Sequence, residues 1–151
     1  MAIKIKILKD HALVVGSLSA RVDSSQVHSG IKRIAGDDDF VWSMDQLALI
    51  EEAADLSSLT LDDLIAFKDD TIRSYFGGRT KRASAGPACR VAVVCAHQIN
   101  AGIMKLYGSV WAAEGAPFVK LELFDTVSAA LDWLGRRSLS EADIRDALAA
   151  P

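Results

Sequence analysis

Segments with the residue period of a β-strand alternate with segments that have the period of a helix along most of this chain, and this alternation constrains its fold more than any other feature. The predicted order is β-β-α-β-α-β-α-β-α-α. Strands separated by helices indicate a mostly parallel sheet joined by right-handed crossovers. The sequence therefore predicts the α/β class.

The first two strands are predicted to form an antiparallel hairpin. Ile3, Ile5 and Ile7 alternate with lysines, which is the pattern of a half-exposed strand. The apolar segment 12–15 follows directly after residues 9–11. A connection this short excludes a parallel return, because a parallel crossover takes about a dozen residues or more. The second strand is expected to be the more buried of the two.

Capping patterns and apolar periods define the later elements. Asp23 with Gln26, Thr60 with Asp63, and Ser140 with Asp143 have the spacing of capping boxes. The middle of the chain is predicted as a helix from Asp23 to Gly36, a strand at 47–50, a helix from Thr60 to Gly77 and a loop at 79–89. A buried strand at 91–96 and a helix that carries Ile103 to Trp111 and ends at 115–117 follow. The chain then continues with a half-exposed strand at 119–123, a helix capped by Asp125 or Thr126 and ended at Gly135, and a last helix at about 140–149. The first and last strands are predicted to be the edges of the sheet.

Size and composition are typical of one globular domain spanning 1–151. The 151 residues are 50% hydrophobic and 25% charged, which excludes a disordered, collagen-like or coiled-coil chain. No apolar run approaches the roughly 18 residues of a membrane span, and the N-terminus lacks the continuous apolar stretch of a secretory signal. Cys89 and Cys95 lack the spacing of a disulfide framework or a zinc site. A reduced, cytoplasmic setting is expected, with no cofactor and no metal.

Charge is distributed unevenly along the chain. Residues 37–70 hold eleven acidic residues and one lysine, whereas residues 71–113 hold six basic residues and no acid. Arg79, Lys81 and Arg82 lie with Arg90 around the predicted loop. These side chains either attract an anionic group or form a solvated loop. The net charge of −3 disfavours nucleic acid as a partner.

Three features together resemble the SpoIIAA-like family, which is related to the STAS domains of anti-sigma antagonists and sulfate transporters. They are the opening hairpin, the small-residue strand at 90–96, and the closing segment 124–135, which ends in Ala-Leu-Asp-Trp-Leu-Gly. The resemblance covers about residues 3–136. It implies a compact domain with a four- or five-stranded mixed sheet, helices packed against it, and no known enzymatic activity.

Signalling members of that family carry a phosphorylated serine in an Asp-Ser-Ser-Gly stretch that opens the helix after the third strand. The corresponding stretch here is Thr60-Leu61-Asp62-Asp63, which lacks the phosphoacceptor. Asp62 resembles a permanently charged acceptor, but an acid in the first helical turn is also favoured by the helix dipole. The resemblance therefore does not extend to a phosphorylation-switched sigma regulator.

The best candidate site lies where the buried strand meets the next helix, because ligands of parallel sheets bind at the carboxyl ends of strands. Cys95, His97 and Asn100 lie there, with Asn100 predicted to cap the helix and Gly102 predicted to let a ligand approach. A Cys95 thiolate would be stabilised by the helix dipole, with His97 as its base. The competing interpretation is a buried core cysteine and a histidine that serves as a loop or cap residue.

The sequence as a whole favours a non-enzymatic binding or protein-interaction module of the STAS-like type. A protein partner or a homodimer is expected, formed through an edge strand or a helix face. Trp133 is predicted either to mark a dimer contact or to cover an edge strand. The alternative function is a small anionic-ligand or enzymatic site at Cys95, His97 and Asn100. In that alternative the basic residues of the predicted loop recruit the anion: Arg79, Lys81 and Arg82.

Overall fold

The computed structural model describes residues 2–76, 89–113 and 119–151. Over these residues the strands and helices follow one another in the predicted order. Their bounds are β1 Ile3–Leu8, β2 Leu13–Leu18, α1 Ser24–Ala35, β3 Asp45–Ile50, α2 Leu61–Thr71, β4 Cys89–Val94, α3 Gln98–Ala113, β5 Val119–Phe124, α4 Val127–Trp133 and α5 Glu141–Ala149. A 3₁₀ turn, Lys9–His11, joins β1 to β2, and a π-helical segment, Ile72–Phe76, extends α2.

The strands form one mixed sheet in the order β1-β2-β3-β4-β5. β1 is antiparallel to β2, and each later neighbour runs parallel. The predicted α/β class, the mixed sheet and the N-terminal hairpin are confirmed, and β1 and β5 are the edge strands of this sheet as expected. The hairpin turn closes at Ala12, which has a φ of 48° in the left-handed region.

The helices divide between the two faces of the sheet. Crossovers of one hand that always step to the next strand place their helices on the same face, and α1, α2 and α3 accordingly pack on one side, against residues such as Ile5, Val14 and Val91. After β5 the chain returns across the other side, where α4 and α5 cover Leu47 and Leu49. We call these the α1–α3 face and the α4–α5 face.

Four of the predicted helix starts are confirmed. Capping boxes open α1 at Asp23, α2 at Thr60 and α5 at Ser140, and in each box the cap side chain and the third helical residue exchange hydrogen bonds. Thr126, rather than Asp125, caps α4 by accepting a hydrogen bond from the Ala129 N–H. These boxes join residues only three apart, which explains why the sequence predicts them.

Three strand predictions were displaced by a few residues, and among them β3 begins at Asp45 rather than at residue 47. β2 begins one residue later and continues to Leu18, since Gly16 and Ser17 pair with β1 despite their low strand propensity. β4 begins at Cys89, which was predicted to lie in a loop, and it ends at Val94. The region of Cys95 and His97 therefore lies beyond the strand.

The tryptophan predictions are settled in part by packing. Trp111 is 2% exposed and belongs to the core of the α1–α3 face. Trp133 is half-buried, and its ring packs on Phe124 of the edge strand β5 with 5.5 Å between centroids. Trp133 thus covers an edge strand within its own chain.

Several predicted features lie outside the described residues. They are the Gly77 helix stop, most of the loop predicted at 79–89, and the helix stop at 115–117. Among the helices of the described segments, none combines the length and hydropathy that a membrane crossing requires.

Candidate functional site

The region after β4 holds Cys95 in the protein core. The Cys95 N–H donates to the Phe124 carbonyl at 3.0 Å, which continues the contact between β4 and β5 by one residue. Cys95 is 4% exposed, and its Sγ donates to the carbonyl oxygen of His97 at 3.5 Å. Burial raises the pKa of the Cys95 thiol, so the protonated, unreactive form is favoured over the thiolate.

His97 is exposed and directly precedes α3. Its carbonyl accepts from the Ala101 N–H at 2.9 Å, which is the first hydrogen bond of the helix. The same carbonyl accepts the Cys95 thiol proton. Cys95 therefore contacts the backbone of His97 through its thiol, whereas a nucleophile and its base require a contact from thiol to imidazole.

The predicted capping role of Asn100 is wrong. Asn100 lies inside the first turn of α3 and is 2% exposed. Its amide nitrogen donates to the Ala54 carbonyl at 2.9 Å, and its amide oxygen accepts from the Leu56 N–H at 3.2 Å. Buried backbone groups need such partners, so Asn100 holds the connection between β3 and α2 in place.

The other predicted site residues are not assembled around Cys95 and Asn100. Gly102 lies on the exposed side of α3, and a Cβ built there would meet no atom within 4 Å. Arg79, Lys81 and Arg82 lie outside the described residues. No group of three or more potential metal ligands occurs within residues 2–76, 89–113 and 119–151.

Alkylation of the native protein tests the reactive interpretation of Cys95. We expect iodoacetamide to modify Cys95 at least about tenfold more slowly than in the denatured chain at neutral pH, because burial both shields the thiol and raises its pKa. Peptide mass mapping separates Cys95 from Cys89, which is also buried. Rapid modification of Cys95, with a pH midpoint below that of an ordinary thiol, would support the enzymatic alternative instead.

A cluster of one carboxylate and two guanidinium groups lies at the amino ends of the parallel strands. The Asp45 side chain is 12% exposed, and one of its oxygens accepts from the Arg136 Nη1 at 2.9 Å. The same oxygen lies 3.3 Å from the Arg90 Nη2, while the other accepts from the Arg90 backbone N–H at 2.7 Å. We call Asp45, Arg90 and Arg136 the Asp45 cluster.

The remaining hydrogen bonds of the Asp45 cluster run to backbone carbonyls. Arg136 donates to the carbonyls of His11 and Ala12 in the hairpin turn. Arg90 donates to the carbonyl of Trp133 at 2.7 Å, and its guanidinium lies 5.4 Å from the centre of that indole ring. Arg90 was expected in an anion-attracting stretch. It is instead engaged with Asp45 and α4, so the cluster fastens the hairpin, β3, β4 and α4 together.

A hydrogen-bonded pair that the sequence did not predict joins α1 to α2. The Nδ1 of His28 lies 2.7 Å from the carboxylate of buried Asp70, which also accepts from the Ser74 hydroxyl at 3.1 Å. Burial raises the pKa of Asp70, but the hydrogen bonds from His28 and Ser74 outweigh it and hold that pKa below its ordinary value. This pair fixes the spacing of two helices that cover the sheet.

Between those helices and the sheet lies an apolar cavity of about 210 Å³. Small residues border it from both sides: Gly16 and Ala48 on the strands, and Gly30 on α1. Gln46 and Ala48 of β3 remain only half-buried, although β3 is the middle strand and helices cover this face. A Cβ added at either glycine would already lie within 4 Å of β1, so the glycines permit close packing against β1 and are not the source of the space.

Hydrocarbon dominates the cavity lining. Among its described lining residues none is Asp, Glu, Lys, Arg or His. Its polar side chains include Gln46, Thr71 and Tyr107. Burial raises the pKa of Tyr107, so its phenol is neutral at physiological pH. The arrangement suits a small, uncharged, mostly apolar molecule.

No sequence pattern predicted this cavity. A glycine in a strand and a glycine in a helix are compatible with close packing or with open space, and only the structure shows that both pack closely against β1. No protein-family model, curated protein or solved structure matches this chain. The candidate site therefore stands on its own geometry.

Proposed function

We propose that this protein is a non-enzymatic binding module of the STAS-like type that takes a small apolar molecule into the cavity between the sheet and α1–α3. The observation that carries the proposal is the cavity of about 210 Å³ with its uncharged lining. The order of elements and the closing segment 124–135 support the STAS-like part of the proposal. The sequence Thr60-Leu61-Asp62-Asp63 lacks a phosphoacceptor serine, so binding is proposed to be independent of that switch.

The size of the cavity favours a bound molecule over empty space. Protein interiors are close-packed and hold few spaces larger than a water molecule. This space is partly open to the surface, so a small molecule can enter it without unfolding the protein. Apolar cavities of about 150 Å³ in another protein bind benzene. A ligand that fills the present space recovers packing energy that the fold alone does not provide.

Filling the cavity with a side chain tests the proposal. We expect Ala48→Leu to weaken binding of ethylbenzene at least tenfold, because the added leucine atoms occupy the ligand's space, while stability stays within about 1.5 kcal/mol of the parent protein. Methyl chemical shifts during an ethylbenzene titration measure the affinity. Ala142→Leu, on an exposed position of α5 on the opposite side of the sheet, is the matched control. Equal affinities of parent protein and Ala48→Leu would refute binding in this cavity.

Native mass spectrometry of freshly purified protein gives a direct test for a natural ligand. A reproducible non-covalent mass excess that is lost in Ala48→Leu would identify the ligand class by its mass. The same spectrum counts subunits. A homodimer is the second proposal, favoured by Ile99 and Leu106, which are 62% and 44% exposed on one side of α3. A monomer at micromolar concentration would overturn the homodimer without affecting the cavity proposal.

We also propose a reducing location such as the cytoplasm. The chain has two cysteines, and both Cys89 and Cys95 are free, buried thiols. Disulfides are rare in reducing compartments, which agrees with this state.

A further inference from the structure

We infer that two copies of this chain join through the edge strand β5, which pairs antiparallel with β5 of the second copy around a two-fold axis at Leu121. In this register Lys120 of each chain lies opposite Glu122 of the other. The inference rests on the homodimer proposed above and specifies its surface and its register. The two sheets become one continuous sheet in which neither β5 is an edge strand.

The free edge of β5 is the first observation. β5 lies at the end of the sheet, and among the described strands it pairs only with β4. An edge strand offers unpaired N–H and C=O groups that a further strand can bond. Val119, Leu121 and Leu123 belong to the helix-covered α1–α3 face, yet each remains half-buried. A strand added at this edge therefore covers apolar surface as well as backbone groups.

The backbone direction decides which residues of β5 can bond a second copy. The Phe124 carbonyl accepts from the Cys95 N–H, so Phe124 directs its backbone groups toward β4. Successive residues of a strand direct these groups to opposite edges, so Leu123, Leu121 and Val119 direct theirs outward. In the inferred register Leu121 faces Leu121, and Val119 faces Leu123. Each of these facing pairs exchanges both of its N–H···O=C bonds.

The charges of β5 fit this register. Lys120 and Glu122 are exposed, and within the described residues neither forms an ion pair or a side-chain hydrogen bond. In the inferred register they form the pairs without backbone hydrogen bonds, whose facing side chains lie closest. Opposite charges at such positions stabilise strand pairing. An axis at Lys120 or at Glu122 would place like charges opposite each other, so charge complementarity selects the axis at Leu121.

The other edge strand, β1, lacks this complementarity. Its charged residues are Lys4 and Lys6, so an antiparallel pair of two β1 strands sets lysine against lysine. Lysines on an edge strand oppose association between edges. Pairing of β5 with itself is also isologous and closes at two chains, whereas pairing of β5 with β1 would continue into a filament. The edges therefore favour a closed dimer through β5.

The helix α3 lies beside the same interface. A Cβ added at Gly108 of α3 would lie 3.5 Å from the Leu121 side chain, so α3 packs closely on β5. When the two β5 strands pair, the two α3 helices become neighbours on one face of the joined sheet. The exposed Ile99 and Leu106 of α3 are thus carried on the helices next to the β5 pair.

Charge reversal tests the register. Lys120→Glu sets glutamates opposite each other, and Glu122→Lys sets lysines opposite each other. We expect each variant to raise the dimer dissociation constant at least about tenfold at low ionic strength, because two attractive pairs become repulsive. The double variant, Lys120→Glu with Glu122→Lys, restores opposite charges and should dimerise within about threefold of the parent protein. Sedimentation velocity over a dilution series measures these constants.

Mixing and a matched control make the test specific. An equimolar mixture of Lys120→Glu and Glu122→Lys should sediment as a dimer at a concentration where each variant alone is monomeric, since the mixed pair has opposite charges. Lys4→Glu makes the same charge change at an exposed position of β1. It should leave the dissociation constant unchanged.

Amide hydrogen exchange provides a readout at single residues. The N–H groups of Leu121 and Leu123 should exchange at least about tenfold more slowly in the parent dimer than in monomeric Lys120→Glu, because the second copy bonds them. Those of Glu122 and Phe124 point toward β4 and should not differ. A dimer formed through α3 alone would not produce this alternation.

The outcomes separate the inference from the homodimer proposal. A parent protein that is monomeric at micromolar concentration would overturn both, while the cavity proposal stands. A parent dimer that both single variants leave intact, a double variant as weak as the single ones, or the lack of alternating protection along β5 would overturn the inference alone. Restored association in the double variant and in the mixture would support it.

Discussion

Replacing Asp45 with alanine is expected to lower the free energy of unfolding by about 4 kcal/mol, because removing one partner of a buried ion pair costs about 3–5 kcal/mol. The substitution leaves the guanidinium groups of Arg90 and Arg136 without their counter-charge and the Arg90 N–H without its acceptor. In a chain of 151 residues this corresponds to a drop in Tm of about 12 °C. Urea denaturation measures the change in the free energy of unfolding, and thermal denaturation measures the change in Tm.

The matched control for Asp45→Ala is Asp39→Ala. Asp39 pairs with Lys9 at 3.6 Å, but both side chains are more than half exposed. Exposed pairs contribute about 0–1 kcal/mol, so this variant should unfold almost as the parent does. If Asp45→Ala lowered the free energy of unfolding no more than Asp39→Ala does, the Asp45 cluster would not stabilise the fold.

Asn100→Leu is expected to lower the free energy of unfolding by about 3 kcal/mol. Leucine has the same branching as asparagine, yet it leaves the Ala54 carbonyl and the Leu56 N–H buried without partners, at about 1–3 kcal/mol each. Hydrogen exchange should also become faster at the Leu56 amide than elsewhere in the chain, because its acceptor is lost. Denaturant unfolding and amide exchange measured by NMR provide the two readouts.

Ser109→Ala is the control for Asn100→Leu on the same helix. The Ser109 hydroxyl is exposed and donates to the Lys105 carbonyl within α3, so its loss should change stability by at most about 0.5 kcal/mol. Asn100→Asp retains the acceptor for the Leu56 N–H and loses the donor to Ala54. An effect of Asn100→Leu no larger than that of Ser109→Ala would contradict the structural role of Asn100.

The candidate site in the sequence and the cavity in the structure lie in different places for a physical reason. The sequence predicts a site at Cys95, His97 and Asn100 because their side chains carry reactive or polar groups near a predicted helix start. Burial then raised the pKa of Cys95, and the β3–α2 connection engaged Asn100. The cavity is bordered by Gly16, Gly30 and Ala48, whose side chains carry no chemistry that a sequence pattern reveals.

Local interactions explain what the sequence by itself determined. Alternating isoleucines specify β1, and the capping boxes at Asp23, Thr60 and Ser140 specify three helix starts, because each involves residues only two to four positions apart. The order of these elements, with a short first connection, determined the α/β class, the hairpin and the edge strands. No distant contact was needed for any of these.

Only the tertiary structure decided which distant residues meet. Asp45 contacts Arg136 across 91 positions, and His28 contacts Asp70 across 42. The cavity similarly is lined by residues of the strands and of α1 that meet only when the helix packs on the sheet. Such contacts depend on how the helices pack on the sheet, and packing is set by the shapes of all the side chains together. The sequence therefore determined the elements and their order, while their packing created the Asp45 cluster and the cavity.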